Sequence, residues 1–142
     1  MEVDFGRKFI GRFAIGEDLL GTLTQFCEEK AIKLGEFAII GAVKHAKMGY
    51  YLQNEQKYID CVDLKKTLEI TACLGNISLM NGKIFVHAHI TLADHDGKCY
   101  GGHLMPGTEI FAAEYHIKEL LGVELKRERD PETGLFLWKN KG

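Results

Sequence analysis

Most of this chain is a succession of short runs rich in β-branched and aromatic residues, and this feature constrains its fold more than any other. Such runs favour strands, and Asn81-Gly82 and Asp96-Gly97 between them are turn signals typical of hairpins. The runs are EFAIIGAVKHAKMGYYL (36–52), QKYIDCV (56–62), KTLEITACLGNISLM (66–80), KIFVHAHITLA (83–93) and KCYGGHL (98–104). The sequence therefore predicts antiparallel strands connected as a meander.

One segment near the start predicts a helix. Asp18 is placed to cap it, and Gly35 is a natural residue to stop it. Between them, apolar residues recur at helical spacing: Leu19, Leu20, Leu23, Phe26 and Cys27, followed by Lys30. The alternation of residues 9–15 predicts a strand before this helix. The expected fold class is α+β, mostly antiparallel sheet with one long helix packed on it.

Two later segments are less clear. Residues 108–121 alternate like a strand but fit a helix face equally well, so periodicity does not decide between them. Residues 124–129 and 135–138 are expected to pair as a hairpin, with Gly134 left-handed in the turn. The mixed-charge run Lys126–Arg129 is interpreted as solvated.

Length and charge limit the classes of function. The chain has 142 residues and is expected to form a single domain, 1–142. Its net charge of −2 supplies no general positive field for binding nucleic acid. The start lacks the pattern of a signal peptide, and no apolar stretch is long enough to span a membrane, so we expect a cytoplasmic protein. The scattered cysteines, predicted to be reduced and mostly buried, are Cys27, Cys61, Cys73 and Cys99.

Three histidines form the strongest candidate site. His87 and His89 project from one face of a strand, roughly 6.5–7 Å apart. If Asp94 and Lys98 close a three-residue hairpin with Gly97 left-handed, His89 lies opposite His103 and all three rings share that face. Three imidazoles and an open position are the ligand set of a catalytic-type zinc, iron or nickel site. We predict a divalent metal, zinc first, on His87, His89 and His103.

Other interpretations stay open. A register slip of one residue would turn His103 to the opposite face, and the three residues would then be hydrogen-bonded core histidines. Glu114 lies in a largely apolar run, so it is either a buried carboxylate acting as a catalytic base or ring-orienting group, or an edge carboxylate facing water. Residues expected at the surface or in turns are His45, His95 and His116. Arg7 and Arg12 flank the first strand, where they either hold an anion or discourage edge pairing.

These residues also carry a family resemblance. The string from His87-Ala88-His89 through Asp96-Gly97 to Gly101-Gly102-His103-Leu104, followed by Gly107 and Glu114, resembles the PPC family, the plant and prokaryote conserved domain. The resemblance implies an α+β sheet domain that assembles as a homotrimer, and it implies a strand after Gly107. Free-standing prokaryotic members are often named as candidate DNA-binding proteins, and plant members carry an AT-hook that contacts DNA.

Three functions remain in competition. The first is a trimeric PPC protein with a metal site in a small-molecule pocket; whether such a protein would be an enzyme stays open. The second is a DNA-associated regulator, and the third is an assembly module without chemistry. Metal analysis separates the first from the third, and the salt dependence of DNA binding tests the second.

Overall fold

The structure is a computed structural model, and it describes residues 1–139. Within that range it contains one helix and nine strands: β1 Asp4–Phe13, α1 Leu19–Glu29, β2 Gly35–Leu52, β3 Lys57–Leu64, β4 Leu68–Met80, β5 Lys83–Ala93, β6 Cys99–Leu104, β7 Glu109–Leu121, β8 Lys126–Arg129 and β9 Phe136–Trp138. The expected mostly antiparallel sheet with a helix is confirmed. The helix is short, with 11 residues, and not the long helix expected.

The strand order differs from a meander. It runs β1-β7-β2-β6-β5-β4-β8-β9, with β3 paired to β2 and a further pairing of β2 with β4. The 18-residue strand β2 pairs along its length with four strands, so it organises the sheet. Every pairing is antiparallel except that between β4 and β8, which is parallel. The meander prediction is wrong because β7 lies between β1 and β2. Turn residues indicate only which neighbouring strands pair, so they do not predict this long-range pairing.

The helix begins as the sequence predicts and ends earlier. An Asp18 carboxylate oxygen accepts a hydrogen bond from the Gly21 N–H at 2.8 Å, the geometry of an N-cap. The helix ends at Glu29, and Ala31 takes the left-handed conformation after it, with φ 53°. Gly35 starts β2 instead of stopping the helix. A Cβ there would lie 2.6 Å from the Lys118 carbonyl oxygen, so glycine is needed for close strand approach.

The helix and one face of the sheet form the core. On β5, Ala88, Ile90 and Leu92 are buried and pack in the same cluster as Leu19 and Leu23 of the helix. Successive side chains on a strand point to opposite faces. His87 and His89 therefore project from the face of the sheet that the helix does not cover.

The ambiguous and terminal segments are both strands. Residues 109–121 form β7, which pairs with β1 and β2, so the strand implied by the family resemblance is confirmed. Strands β8 and β9 form the expected antiparallel hairpin, with Gly134 left-handed at φ 74°.

The cysteine prediction is confirmed in part. All four cysteines are free, and Cys27 and Cys73 are buried. Cys61 and Cys99 are exposed, because both lie at positions of β3 and β6 that point away from the core.

Residues 1–139 contain no helix that is both long enough and apolar enough to cross a membrane.

Candidate metal centre

The hairpin between β5 and β6 sets the position of the histidines. The Asp94 N–H donates to the Lys98 carbonyl at 3.0 Å, and the Gly97 N–H donates to the Asp94 carbonyl at 2.9 Å. Gly97 is left-handed, with φ 77°. This is the three-residue hairpin that the sequence predicts, and it pairs His89 with His103.

Both oxygens of the Asp94 carboxylate accept hydrogen bonds that stabilise this turn. One oxygen accepts the backbone N–H groups of Asp96 and Lys98, and the other accepts the Lys66 ammonium at 3.0 Å and the Tyr100 hydroxyl at 3.1 Å. The Lys66 hydrogen bond, helped by the turn N–H groups, lowers the pKa of Asp94 to about 2. Asp94, His95 and Asp96 also bring donor atoms together. Because the Asp94 carboxylate is engaged in closing the turn, we do not assign this group as a metal site.

The structure brings His87, His89 and His103 together on one sheet face. Each offers one ring nitrogen, and the three nitrogens lie within 4.8 Å of one another. The ring centroids are 5.1 Å apart for His87 and His89, 5.0 Å for His87 and His103, and 5.6 Å for His89 and His103. Two imidazoles on one zinc ion have their nitrogens at most about 4.2 Å apart. The nitrogen–nitrogen spacing of these three rings, within 4.8 Å, is therefore close to that of a ligand set.

The chemistry of the three rings also fits a metal ion. Among the described residues, the Nδ1 atom of His103 is buried and has no hydrogen-bond partner. Burial lowers the pKa of His87 to about 4, and burial followed by the charge of His89 lowers the pKa of His103. The neutral imidazole is the form that binds metal. His87 and His103 can therefore offer their rings to a divalent metal with little competition from protons at neutral pH.

An open cleft of about 600 Å³ lies over the histidines. Aromatic residues of β2 and β3 form much of its wall, and the Tyr58 ring packs 4.8 Å from the His103 ring. The turn before β9 forms the other side: the Tyr51 hydroxyl donates to the Thr133 carbonyl at 2.7 Å, and the Gln56 amide donates to the Glu132 carbonyl at 3.0 Å. The cleft thus has the three histidines as its floor, an aromatic wall, and a rim held by hydrogen bonds.

Arg127 is the residue that sequence reasoning missed. Its run is exposed at Lys126, Glu128 and Arg129, as expected, but Arg127 itself is only 7% exposed. The solvated interpretation is wrong at this position because the Arg127 side chain bonds to Ser78 and Asn76 of β4 and to the Phe136 carbonyl of β9. The run itself gave no signal for this, because strand alternation would place Arg129 on the same face as Arg127, and Arg129 is exposed.

The structure separates Glu114 from the cleft. Its side chain is exposed on β7, opposite Ile40 of β2, whereas His103 pairs with Gly49 much further along β2. The placement agrees with the water-facing alternative. The assignment of Glu114 as a catalytic residue stays a prediction, and no contact of Glu114 with the cleft supports it.

The other candidate residues named from the sequence, two arginines and three histidines, lie away from the histidine cluster. Arg7 forms an ion pair with Glu119 at 2.7 Å, and Arg12 lies opposite Glu114 across β1 and β7. His95 and His116 are exposed as expected, while His45 is half-buried and bonds to Asp63.

Comparison with known proteins places this chain in a family. A family model described as the Plants and Prokaryotes Conserved domain matches residues 1–121. A solved structure of a metal-containing protein from Archaeoglobus fulgidus is 40% identical, with a TM-score of 0.92, covering 98% of this chain and 97% of that one. A plant- and prokaryote-conserved protein from Pyrococcus horikoshii is 35% identical, with a TM-score of 0.93, covering 99% and 96%.

Other relatives have different descriptions. A structure from Bacteroides thetaiotaomicron, described as a candidate DNA-binding protein, is 26% identical with a TM-score of 0.85, covering 96% of each chain. Among curated proteins, the bifunctional protein GlmU of Synechococcus sp. is 32% identical over 125 residues, which are 87% of this chain. The chain spans about a fifth of the length of the curated relatives it matches, 19% in this case.

Proposed function

This chain belongs to the Plants and Prokaryotes Conserved domain family, and on that premise we propose that it is a metal-binding protein with a small-molecule pocket. The metal is a divalent ion, zinc first, held by His87, His89 and His103. The observation that carries the proposal is the convergence of three ring nitrogens within 4.8 Å, with a buried His103 Nδ1 that has no other partner.

Two further observations support the assignment. The relative from Archaeoglobus fulgidus is described as metal-containing. Three protein ligands also leave a coordination position free, as in catalytic zinc sites, and here the ligands line an open cleft. When bound, the ion would supply a Lewis acid to a molecule in the cleft. The chain's own aromatic wall, with Tyr58 against His103, would exclude water from one side of that molecule.

Metal analysis of untagged protein tests the proposal. We expect about one zinc per chain in the wild type, and a sharp loss in each of the His87→Ala, His89→Ala and His103→Ala variants. His116→Ala is the matched control, because His116 is exposed and lies outside the cluster. Metal-free wild-type protein after purification with zinc, or full occupancy in the triple alanine variant, would contradict the proposal.

We also propose that the protein assembles as a homotrimer. The sheet face that carries the histidines also exposes large apolar side chains: Ile10, Ile40 and Leu74 are 76%, 56% and 58% exposed. Neighbouring apolar residues of this kind are typical of interaction surfaces. Light scattering at micromolar concentration is expected to give three times the chain mass, and a monomer mass would contradict it. The cytoplasmic location stays a prediction.

DNA association is the second candidate function. The description of the relative from Bacteroides thetaiotaomicron favours it, while a net charge of −2 does not. We expect binding to random duplex DNA to be weaker than ~10⁻⁵ M at physiological salt. A gel-shift titration at several salt concentrations checks this. Submicromolar binding with a steep salt slope would overturn the expectation and favour the regulator.

A further inference from the structure

Arg127 is a buried cation with only neutral partners. It donates from Nε to the Ser78 hydroxyl at 3.0 Å, from Nη1 to the Phe136 carbonyl at 2.9 Å and from Nη2 to the Asn76 side-chain oxygen at 2.8 Å. No carboxylate of residues 1–139 lies within 4 Å of it. A guanidinium has five N–H groups, and a buried charge is costly unless an opposite charge accompanies it. The fold thus holds a cation whose counter-charge is not among its described side chains.

This cation lies beside the candidate metal centre. Arg127, His87, His103 and Tyr58 line one pocket of about 290 Å³ that adjoins the larger cleft. Asn76, which accepts from Arg127, is also the cross-strand partner of His87. The Phe85 and Trp138 rings lie 5.2 and 5.3 Å from the guanidinium carbon and hold it in position.

The lining of this pocket is positive and apolar. None of its described lining residues is acidic, and because Lys57 is paired with Glu55 at 2.6 Å, the positive charge of this pocket comes from Arg127. The adjoining cleft has one acidic lining residue, Glu132. A divalent metal on the neighbouring histidines would increase the positive charge further. A neutral ligand would leave that charge uncompensated, whereas an oxyanion would compensate it and accept the remaining N–H groups.

We propose that the small molecule bound in this cleft is an anion, with a carboxylate or phosphate group between Arg127 and the histidine-bound metal. Its apolar part lies against Tyr51, Tyr58 and Leu135, each of which lines both pockets. The inference rests on the proposed metal site for one of its two anchors, and on Arg127 for the other.

Isothermal titration of zinc-loaded and metal-free protein tests the proposal with three probes: benzoate, its neutral isostere benzamide, and inorganic phosphate. We expect benzoate or phosphate to bind the zinc-loaded protein at least tenfold more tightly than benzamide. The comparison of benzoate with phosphate shows which oxyanion the pocket prefers. Arg127→Met is expected to weaken the better anion at least tenfold, the size typical of a charged hydrogen bond. Arg129→Met, which removes an exposed arginine of the same strand, is expected to leave binding unchanged.

Further measurements separate binding from folding. The zinc content of the Arg127→Met variant should equal that of the wild type. Arg127→Lys, which keeps the charge but not the planar fork, is expected to bind the anion more tightly than Arg127→Met and less tightly than the wild type. If Arg127→Met lowers the melting temperature, the anion affinity of the Arg127→Lys variant is compared with that of the wild type instead.

The outcomes distinguish the two proposals. Equal binding of benzoate, phosphate and benzamide, or unchanged anion affinity without Arg127, overturns the inference even if zinc is bound. Absence of zinc overturns the proposed metal site, while anion binding to metal-free protein that depends on Arg127 would still support the arginine anchor.

Discussion

The two faces of strand β5 differ in what they contact. Ala88 and Ile90 are each 2% exposed and pack in the core cluster that the helix completes. His87 and His89, their neighbours in sequence, line the open cleft, and each has a ring nitrogen within 4.8 Å of the other's. One strand therefore contributes to stability through the residues on its core face and to the candidate site through the residues on its cleft face. The effects of substitution should therefore divide by the face on which a residue lies.

The difference comes from what covers each face. The helix buries Leu19, Leu23 and Cys27 completely against one side of the sheet, and removal of apolar area from water stabilises the fold by about 25 cal/mol per Å². The other side is covered near the histidines by the β8–β9 hairpin, including its turn. We therefore expect stability to depend mainly on the first face and ligand binding on the second.

The largest expected effect is on the helix side. Ile90→Ala removes a side chain that is fully packed, so it should lower the free energy of unfolding by about 2–5 kcal/mol. Zinc bound per folded chain should stay unchanged, because the histidines lie on the other face. Denaturant unfolding and metal analysis check both parts. Thr91→Ala, an exposed neighbour, should change stability by no more than about 0.5 kcal/mol. A loss of zinc from folded Ile90→Ala protein would contradict the separation of stability and metal binding between the two faces.

The next effect is on the cleft side and depends on metal. At free zinc 100-fold above its dissociation constant, binding should stabilise the wild type by about 2.7 kcal/mol. His89→Ala should lose this stabilisation, and in chelator the two proteins should unfold alike, because the His89 side chain is exposed. Thermal unfolding with zinc and with chelator measures the difference. An equal stability loss in both conditions would show that His89 acts as a packing residue.

A smaller effect is expected at the start of the helix. Asp18 accepts the Gly21 N–H and, from its other oxygen, the Gly107 N–H at 2.6 Å. Asp18→Ala should lower the free energy of unfolding by about 1 kcal/mol. Asp18→Asn should lower it by less, because its one amide oxygen can still accept the Gly21 N–H although the Gly107 hydrogen bond is lost. Zinc content should not change in either variant. If both substitutions cost the same, the cap hydrogen bond to Gly21 does not account for the stabilisation.

The smallest effect concerns the turn that sets the histidine register. The pKa of Asp94 is about 2 in the folded chain against an ordinary value of 3.8, so its carboxylate contributes stability above pH 3.8. That contribution is lost as the pH falls from 3.8 to about 2. Asp94→Asn should be less stable than the metal-free wild type at neutral pH, and the two should converge at about pH 2. Unfolding measured across this range checks the convergence, with Asp96→Asn as the control. A constant difference down to pH 2 would contradict the role of the charge.

Local signals account for the parts of the fold that could be predicted. The strand runs, the capping residue Asp18 and the turn glycines Gly97 and Gly134 each act over a few residues, and the structure places each of them as expected. The alternation of residues 108–121 was compatible with two structures. It became a strand because β1 and β2 supply partners on both of its edges.

The sequence by itself determined the local turn and the shared face of His87 and His89, and from them it predicted the histidine cluster; the structure has the predicted register of His89 opposite His103. Only the tertiary structure decided the rest of the site. The order of strands placed Glu114 away from the cleft, and the parallel pairing of β8 with β4 brought Arg127 next to Asn76. Turn geometry is encoded within a few residues, whereas the pairing of distant strands depends on which faces of the whole chain can be buried together.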